Sequence, residues 1–329
     1  MILIARKTCH IKFVLLVIEL FRCRVVIMKK VCMIGAGNLG SSIAYEIANR
    51  DIANEIVLID LLRDFAEGQA DDIQQAVAQR NDTIVSAGNY DELADSDITI
   101  VTAGKPRTPD IKSRLELAGI NAKIIKSVAS ELRESGFGGI IITLTNPMDL
   151  MNHIICKSGF DRDRVIGSGG QLDSARFRVV LSRLYNAHSS SVEAHVLGEH
   201  GDSQVPVFSN VKINGKRKTF SEDEKKKIRE ELKAAALNVI SKKGATIFAP
   251  ANNTADMVES ILDDQKTAMM CSVVLNGEYG INNVSIGVPV VLCKNGVEKI
   301  LEWGLDEDEL AMLQQGAYEL KKHLQSIGE

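Results

Sequence analysis

The chain has 329 residues, 45% of them hydrophobic and 25% charged, with a formal net charge of −4. That is ordinary soluble-globular composition with apolar residues enough for a sizeable core, and the near-neutral balance, with no basic stripe interleaved with aromatics, speaks against nucleic acid as a partner. Six cysteines scattered without CxxC spacing fit reduced thiols in a cytoplasmic protein better than a disulfide framework or a zinc site, and no metal is expected.

Residues 1–27, "MILIARKTCHIKFVLLVIELFRCRVVI", hold an apolar run too short to span a bilayer and broken by Glu19. The basic start resembles a targeting peptide, but no small-residue cleavage site follows the run. We expect this segment to be an extension outside the fold, with no membrane association. Met28 stands directly before a natural first strand.

From there short apolar runs alternate with longer amphipathic stretches: "KVCMIGAG" then "NLGSSIAYEIANR", "EIVLID" then "LLRDFAEGQADDIQQAVAQR", "TIVSAG", "DITIVTAG", and "GGIIITLTNP" after the helix-like "INAKIIKSVASELRES". Runs that do not alternate polar with apolar imply strands covered on both faces, hence an α/β fold built on a doubly wound parallel sheet over residues 28–168. Residues 169–329 are less regular. They include a helix "DSARFRVVLSRLY", a strand-like "VEAHVLGEHGD", a charged helix from "SEDEKKKIREELK" that reads as a solvated face, a helix around "NTADMVESILDD", strands in "CSVVLNGEYG" and "VSIGVPVVLCKNG", and a closing helix from "DEDELAML".

"GAGNLG" sets Gly35, Gly37 and Gly40 as GxGxxG between strand and helix, with Asn38 and Leu39 opening the helix, and the next strand ends in Asp60. The glycines give a tight turn, room for a pyrophosphate and close helix packing, while the helix N-terminus favours the anion. A carboxylate at Asp60 accepts from both ribose hydroxyls and repels a 2′-phosphate, so the cofactor expected is NAD.

"TAGKPRTPDIKSRLEL" places Arg107 and Arg114 in a polar loop that Pro106 and Pro109 keep from becoming helix. The pair fits an anion grip or a solvated surface pair. Farther on, Asp173 and Arg176 in "GQLDSARF" share a helix face, as an intrahelical ion pair would. His200 lies in the glycine-flanked turn "LGEHGDSQVP", where a proton-shuttling histidine would need a carboxylate to fix its tautomer; Asp173 is the candidate partner.

Taken together, "GAGNLG", Asp60, "TAG" with the two-arginine segment, "TNPMD", "GQLDSAR", "GEHGD", "KKGATIFAP" and "GEYGINNVSIGVPVVLCKNG" resemble the lactate/malate dehydrogenase family in order and spacing from about Met28 to the C-terminus, closest to malate dehydrogenases of the archaeal, lactate-dehydrogenase-like type. The resemblance implies a Rossmann domain followed by an α+β substrate domain, hydride transfer between NAD and a small 2-oxo or 2-hydroxy acid, and a homodimer or homotetramer. It assigns His200 as proton donor and acceptor, Asp173 as the acid that orients it, Arg176 as the clamp on the substrate C1 carboxylate, and Arg114 as the arginine polarising the reacting carbonyl. Asn146 would hydrogen-bond the substrate oxygen, Thr246 would line the pocket near the nicotinamide, and Thr102, Ala103, Gly104, Asn121 and Thr145 would join Asn146 on the cofactor side.

Arg107 decides the substrate in this reading. "KPRTP" follows the malate form, in which this arginine meets the second carboxylate of oxaloacetate; beside a methyl group in a closed site it would be left unpaired. Two features run the other way: the segment from Arg107 to Arg114 is one residue longer than the family's, with Asp110 in place of glycine, and "GEHGD" is commoner in lactate-type members. The expectation is a malate dehydrogenase. The alternatives are an L-lactate or branched 2-hydroxy acid (2-hydroxyisocaproate-type) dehydrogenase and, from another class, an inactive NAD-binding module.

Overall fold

The computed structural model describes residues 28–106 and 114–329. The 1–27 extension, Arg107 and Asp110 lie outside the described residues.

Six strands form the parallel half of the central sheet: β1 (Lys30–Ile34), β2 (Glu55–Ile59), β3 (Ile84–Ala87), β4 (Ile98–Val101), β5 (Ile140–Thr143) and β6 (Val165–Gly167). They stand in the order β3-β2-β1-β4-β5-β6, every neighbouring pair parallel. The order reverses direction at β1 and β4, so their carboxyl ends open a crevice. β1, β4 and β5 are buried along their whole length, as unalternating apolar runs require when helices cover both faces. Those helices are α1 (Asn38–Asn49), α2 (Arg63–Val77), α3 (Arg114–Glu134) and α4 (Met148–Lys157). α1 buries Ile43, Ala44, Ile47 and Ala48, a spacing of three and four that turns one stripe to the sheet.

The sheet continues past β6. After α5 (Gly169–Leu184) come the short strands β7 (Val192–Glu193), β8 (Val196–Gly198), β9 (Gln204–Pro206), β10 (Lys212–Ile213) and β11 (Lys216–Arg217), then α6 (Glu222–Lys243) and α7 (Phe248–Leu262). A long hairpin follows, β12 (Thr267–Asn276) and β13 (Asn282–Cys293), then β14 (Gly296–Ile300) and α8 (Glu307–Ser326). β12 joins β6 through one residue pair, Ser272 with Gly167. β13, β8 and β9 extend the row antiparallel, β14 flanks β13, and β11-β10-β7 form a separate three-stranded sheet. Under it sits a second apolar cluster that includes Phe177, Leu181, Phe208, Ile228 and Leu232. The charged helix α6 is closed by a capping box, Ser221 with Glu224, and buries Ile228 and Leu232 while its remaining length carries charge to solvent.

Three local readings change. "VEAHVLGEHGD" is two strands because β7 pairs with β10 and β8 with β9 and β13, so the segment changes sheets midway. Helix α7 begins earlier than its apolar pattern, at Phe248, since Pro250 falls in its first turn, where the missing N–H has no intrahelical partner to lose. Arg114 belongs to helix: it is the first residue of α3. Pro109 bars helix only around itself, and "RLELA" is a good helix former with Glu116 favourably placed in the first turn.

Candidate active site

The glycine loop follows β1. Gly35 has φ of +104°, and a Cβ there would lie 2.7 Å from Thr102 Oγ1 and 2.8 Å from the Ala103 nitrogen, while a Cβ on Gly40 would lie 1.9 Å from the Gly35 carbonyl. Both positions are glycine because the chain packs against itself. Gly37 is different. Exposed at the N-terminus of α1, it has no protein atom within 4 Å of its Cβ position, and the α1 N-cap has no side-chain hydrogen bond. Free N–H groups behind open space fit a pyrophosphate.

Asp60 anchors the far side of this cradle. Its Oδ2 accepts from the Ala36 N–H (2.8 Å) and its Oδ1 from the Leu62 N–H (3.0 Å). Each oxygen keeps a lone pair for a ribose hydroxyl, and the acceptor-only group has nothing to offer a 2′-phosphate. Asn38 and Leu39 stand in the first turn of α1. Thr102 Oγ1 donates to the Gly35 carbonyl at 2.9 Å, which ties the end of β4 to the loop. Asn121 on α3 is fully buried, its carboxamide spent on backbone: Oδ1 accepts from the Lys105 N–H (2.8 Å) and Nδ2 donates to the carbonyls of Lys105 (3.2 Å) and Asn146 (2.6 Å). Thr145 donates to the Ala103 carbonyl at 2.8 Å, and Gly104 has no room for a Cβ against the Thr145 methyl, at 2.5 Å. Thr102, Ala103, Gly104, Asn121, Thr145 and Asn146 are thus drawn together at the carboxyl ends of β1, β4 and β5.

A second constellation lies on the elements that follow β6. Asp173 and Arg176 lie on α5, and His200 lies in the turn after β8. His200 Nδ1 and Asp173 Oδ2 are 2.6 Å apart, Asp173 Oδ1 accepts from Arg176 at 3.1 Å, and Arg176 reaches Thr246 Oγ1 at 3.4 Å. The intrahelical ion pair and the histidine partnership coexist, one carboxylate oxygen each. Burial would discharge the His200 ring, but the charge and hydrogen bond of Asp173, with a further pull from Asp149, outweigh that and the opposing Arg176, so His200 holds its proton above its ordinary range. With Nδ1 held, Nε2 is the nitrogen left for substrate. Among the described residues no helix is long and apolar enough to cross a membrane, and no His, Cys, Asp and Glu cluster is placed to hold a metal ion.

Two residues here carried no signal strong enough to read from sequence. A Cβ on Gly169, in the first turn of α5, would lie 2.5 Å from the His200 ring, so the ring rests directly on backbone. Asp149, inside "TNPMD", looks like any acid in a helix's first turn, yet it is 2% exposed and its Oδ2 accepts the His200 backbone N–H at 2.7 Å.

Residues 29–167 match the lactate/malate dehydrogenase NAD-binding domain, and residues 170–329 the lactate/malate dehydrogenase alpha/beta C-terminal domain. The chain belongs to the lactate/malate dehydrogenase family. NAD is the cofactor of this family's N-terminal domain, and the cradle around Gly37 fits it. Among the relatives, the malate dehydrogenase of Halobacterium salinarum is 45% identical over 305 residues, covering 91% of this chain and all of that protein. The L-lactate dehydrogenase of Priestia megaterium is 40% identical over 303 residues, 89% of this chain and 95% of that one. Among solved structures, a minor L-lactate dehydrogenase from Enterococcus mundtii superposes with a TM-score of 0.87 at 34% identity, covering 91% of this chain and 98% of its own.

Proposed function

We propose that this member of the family is an NAD-dependent malate dehydrogenase interconverting oxaloacetate and (S)-malate, working as a cytoplasmic homodimer or homotetramer, with residues 28–168 serving the cofactor and 169–329 the substrate. The observation that carries the chemistry is the 2.6 Å contact of His200 with buried Asp173, with Arg176 on the same carboxylate. The cofactor, when bound, would supply the hydride for the substrate C2 as NADH and take it back as NAD+.

The rest belongs to the chain. In oxaloacetate reduction His200 gives its Nε2 proton to the C2 oxygen as the hydroxyl forms, and Asp173 holds the tautomer and favours the charged ring beforehand. Arg176 grips the C1 carboxylate as a two-pronged fork, which a lysine would not reproduce. Arg114 stabilises the oxygen as negative charge develops, Asn146 hydrogen-bonds it, and Thr246 borders the pocket beside Arg176. Arg107 takes the second carboxylate. A silent binding module has no use for a histidine locked to a buried acid, which argues against that alternative.

Support for the malate substrate comes from Arg107 in the sequence and from malate dehydrogenases among the relatives at 43 to 45% identity. The second reading, an L-lactate or branched 2-hydroxy acid dehydrogenase, draws on the L-lactate dehydrogenase relatives and on Glu199 of "GEHGD", which accepts from the Ser203 hydroxyl. The test is NADH absorbance decay with oxaloacetate, pyruvate and 2-oxoisocaproate side by side. Oxaloacetate should be strongly preferred, and Arg107→Gln should cut its kcat/KM on the order of 10³-fold while sparing pyruvate. A wild-type preference for pyruvate would move the assignment to the second reading; no turnover of any of the three would end the enzyme reading.

A further inference from the structure

Behind His200 lies a sealed polar network that the proposed chemistry does not use. Asp149 Oδ1 accepts from the Ser272 hydroxyl at 2.5 Å, Ser272 and Ser285 hydroxyls are 2.9 Å apart, and Asn152 Nδ2 donates to Ser285 Oγ (2.8 Å) and to the Ser272 carbonyl (3.1 Å). Asn152, Ser272 and Ser285 are wholly buried, on α4, β12 and β13. Ser272 is also the residue that joins β12 to β6, where Gly167 leaves room for Met148 and the Ser272 Cβ. The network therefore sits at the seam between the parallel and antiparallel halves of the sheet, directly under the His200 turn.

A carboxylate is a poor choice for holding a fold together at such a place. Asparagine would accept the same His200 N–H and meet the same Ser272 hydroxyl, which can rotate to accept, without bringing a charge out of water. We infer that Asp149 is a positioning residue for His200, deepening the role proposed for that histidine: it fixes the ring's backbone from behind and sets a second carboxylate beneath it, so that two negative groups hold the charged imidazole.

The surrounding charges allow this. Facing His200 are Asp173 and Arg176 from α5 and Asp149 from α4, while Asp149 meets His200 and Glu199 from the turn after β8 and only hydroxyls from β12 and β13. Burial drives the Asp149 carboxyl up to about 6; the Ser272 hydroxyl, the His200 N–H and the His200 charge pull it down, and Glu199 pushes it up. Above that pH Asp149 is an anion, the state the role requires.

The experiment is a ring-carbon NMR titration of His200 in the full-length protein, its signal identified among the six histidines by its loss in His200→Gln. Asp149→Asn should lower the His200 midpoint by about one pH unit and leave the exposed His188 and NADH affinity unchanged. The alkaline fall of kcat/KM for 2-oxo acid reduction should move down with it. Ser272→Ala removes the donor that helps keep Asp149 ionised, so it should shift the midpoint the same way by less, and it carries the test if Asp149→Asn does not fold. An unmoved midpoint in the folded variant overturns the inference. Because the readout is the ring's own titration, it is separate from the substrate assay: absent turnover in wild type removes the proposed function, an unmoved midpoint removes the role of Asp149.

Discussion

If Asp149 serves His200 at the expense of the fold, then removing its charge should stabilise the protein, and by an amount the structure sets. Its carboxyl titrates at about 6 in the folded state against 3.8 ordinarily. A rise of about two units at 1.36 kcal/mol per unit is about 3 kcal/mol. Because the folded value lies above the unfolded one, the group's favourable contribution is complete below about pH 4 and is lost as pH rises through about 6. In Asp149→Asn that loss is absent, while the amide retains acceptor and donor for His200 and Ser272. Relative to wild type the variant should therefore gain on the order of 3 kcal/mol as pH rises from about 4 to about 8. Urea unfolding reads this directly. The single tryptophan, Trp303, packs edge-on against His195 with ring centres 5.1 Å apart, so its fluorescence reports loss of the native contact. A gap that does not change with pH, or a variant about 2 kcal/mol less stable than wild type at pH 8, would refute the reasoning and return Asp149 to a purely structural role.

Other expectations test the site piece by piece. Gly37→Ala should fold with an unchanged Tm and bind NADH more weakly by calorimetry, whereas Gly40→Ala, whose Cβ would lie 1.9 Å from a carbonyl, should lower Tm by several degrees; equal effects of the two would undo the view of Gly37 as the cofactor-facing position. Asp173→Asn should reduce kcat for oxaloacetate on the order of 10³-fold, from the loss of a buried partner to His200, with NADH affinity intact; a loss under tenfold counts against the couple. Arg176→Lys should cost kcat/KM about 10- to 100-fold through loss of the fork, and a near-wild-type value would take the substrate carboxylate away from Arg176.

The parallel half of the sheet was legible because its inner strands β1, β4 and β5 are buried along their whole length and declare themselves as uninterrupted apolar runs, with glycines marking the turn at Gly35. His200, Asp173 and Arg176 were legible as chemistry but not as geometry: three-residue spacing on α5 is satisfied equally by an ion pair or by a histidine partner, and only the coordinates show Asp173 dividing its two oxygens between them. Asp149 was not legible. Its donor Ser272 is 123 residues away, on a strand whose only tie to β6 is one pair, and no local pattern distinguishes an acid facing that seam from one favouring a helix N-terminus. The same distance effect hid the split of "VEAHVLGEHGD", since which sheet each half joins depends on β10 and β13, not on its own residues. Arg114 was misplaced for a local reason, the range assigned to a proline.

Charge balance joins these observations to the proposed substrate. Within the described site Asp149 and Asp173 carry two negative charges, and Arg176 with protonated His200 carries two positive ones, so the buried set is neutral when poised for reduction. On the proposed roles a monocarboxylic 2-oxo acid would bring one negative charge, held by Arg176, and the added positive charge of Arg114 would balance the sum. If Arg107 holds the proposed place at the far end of the substrate, a monocarboxylic acid would offer it no counter-ion there, which a water-poor pocket would tolerate badly. Oxaloacetate would bring two negative charges, the second of which the proposed role gives to Arg107. On the proposed chemistry His200 would give up its positive charge as a bound cofactor gained one, so the total would be conserved and the carboxylates would not need to move. On the proposed roles Asp149 and Arg107 would act together: the first would keep the proton on His200 before reaction, and the second would disfavour substrates that leave an unmatched positive charge.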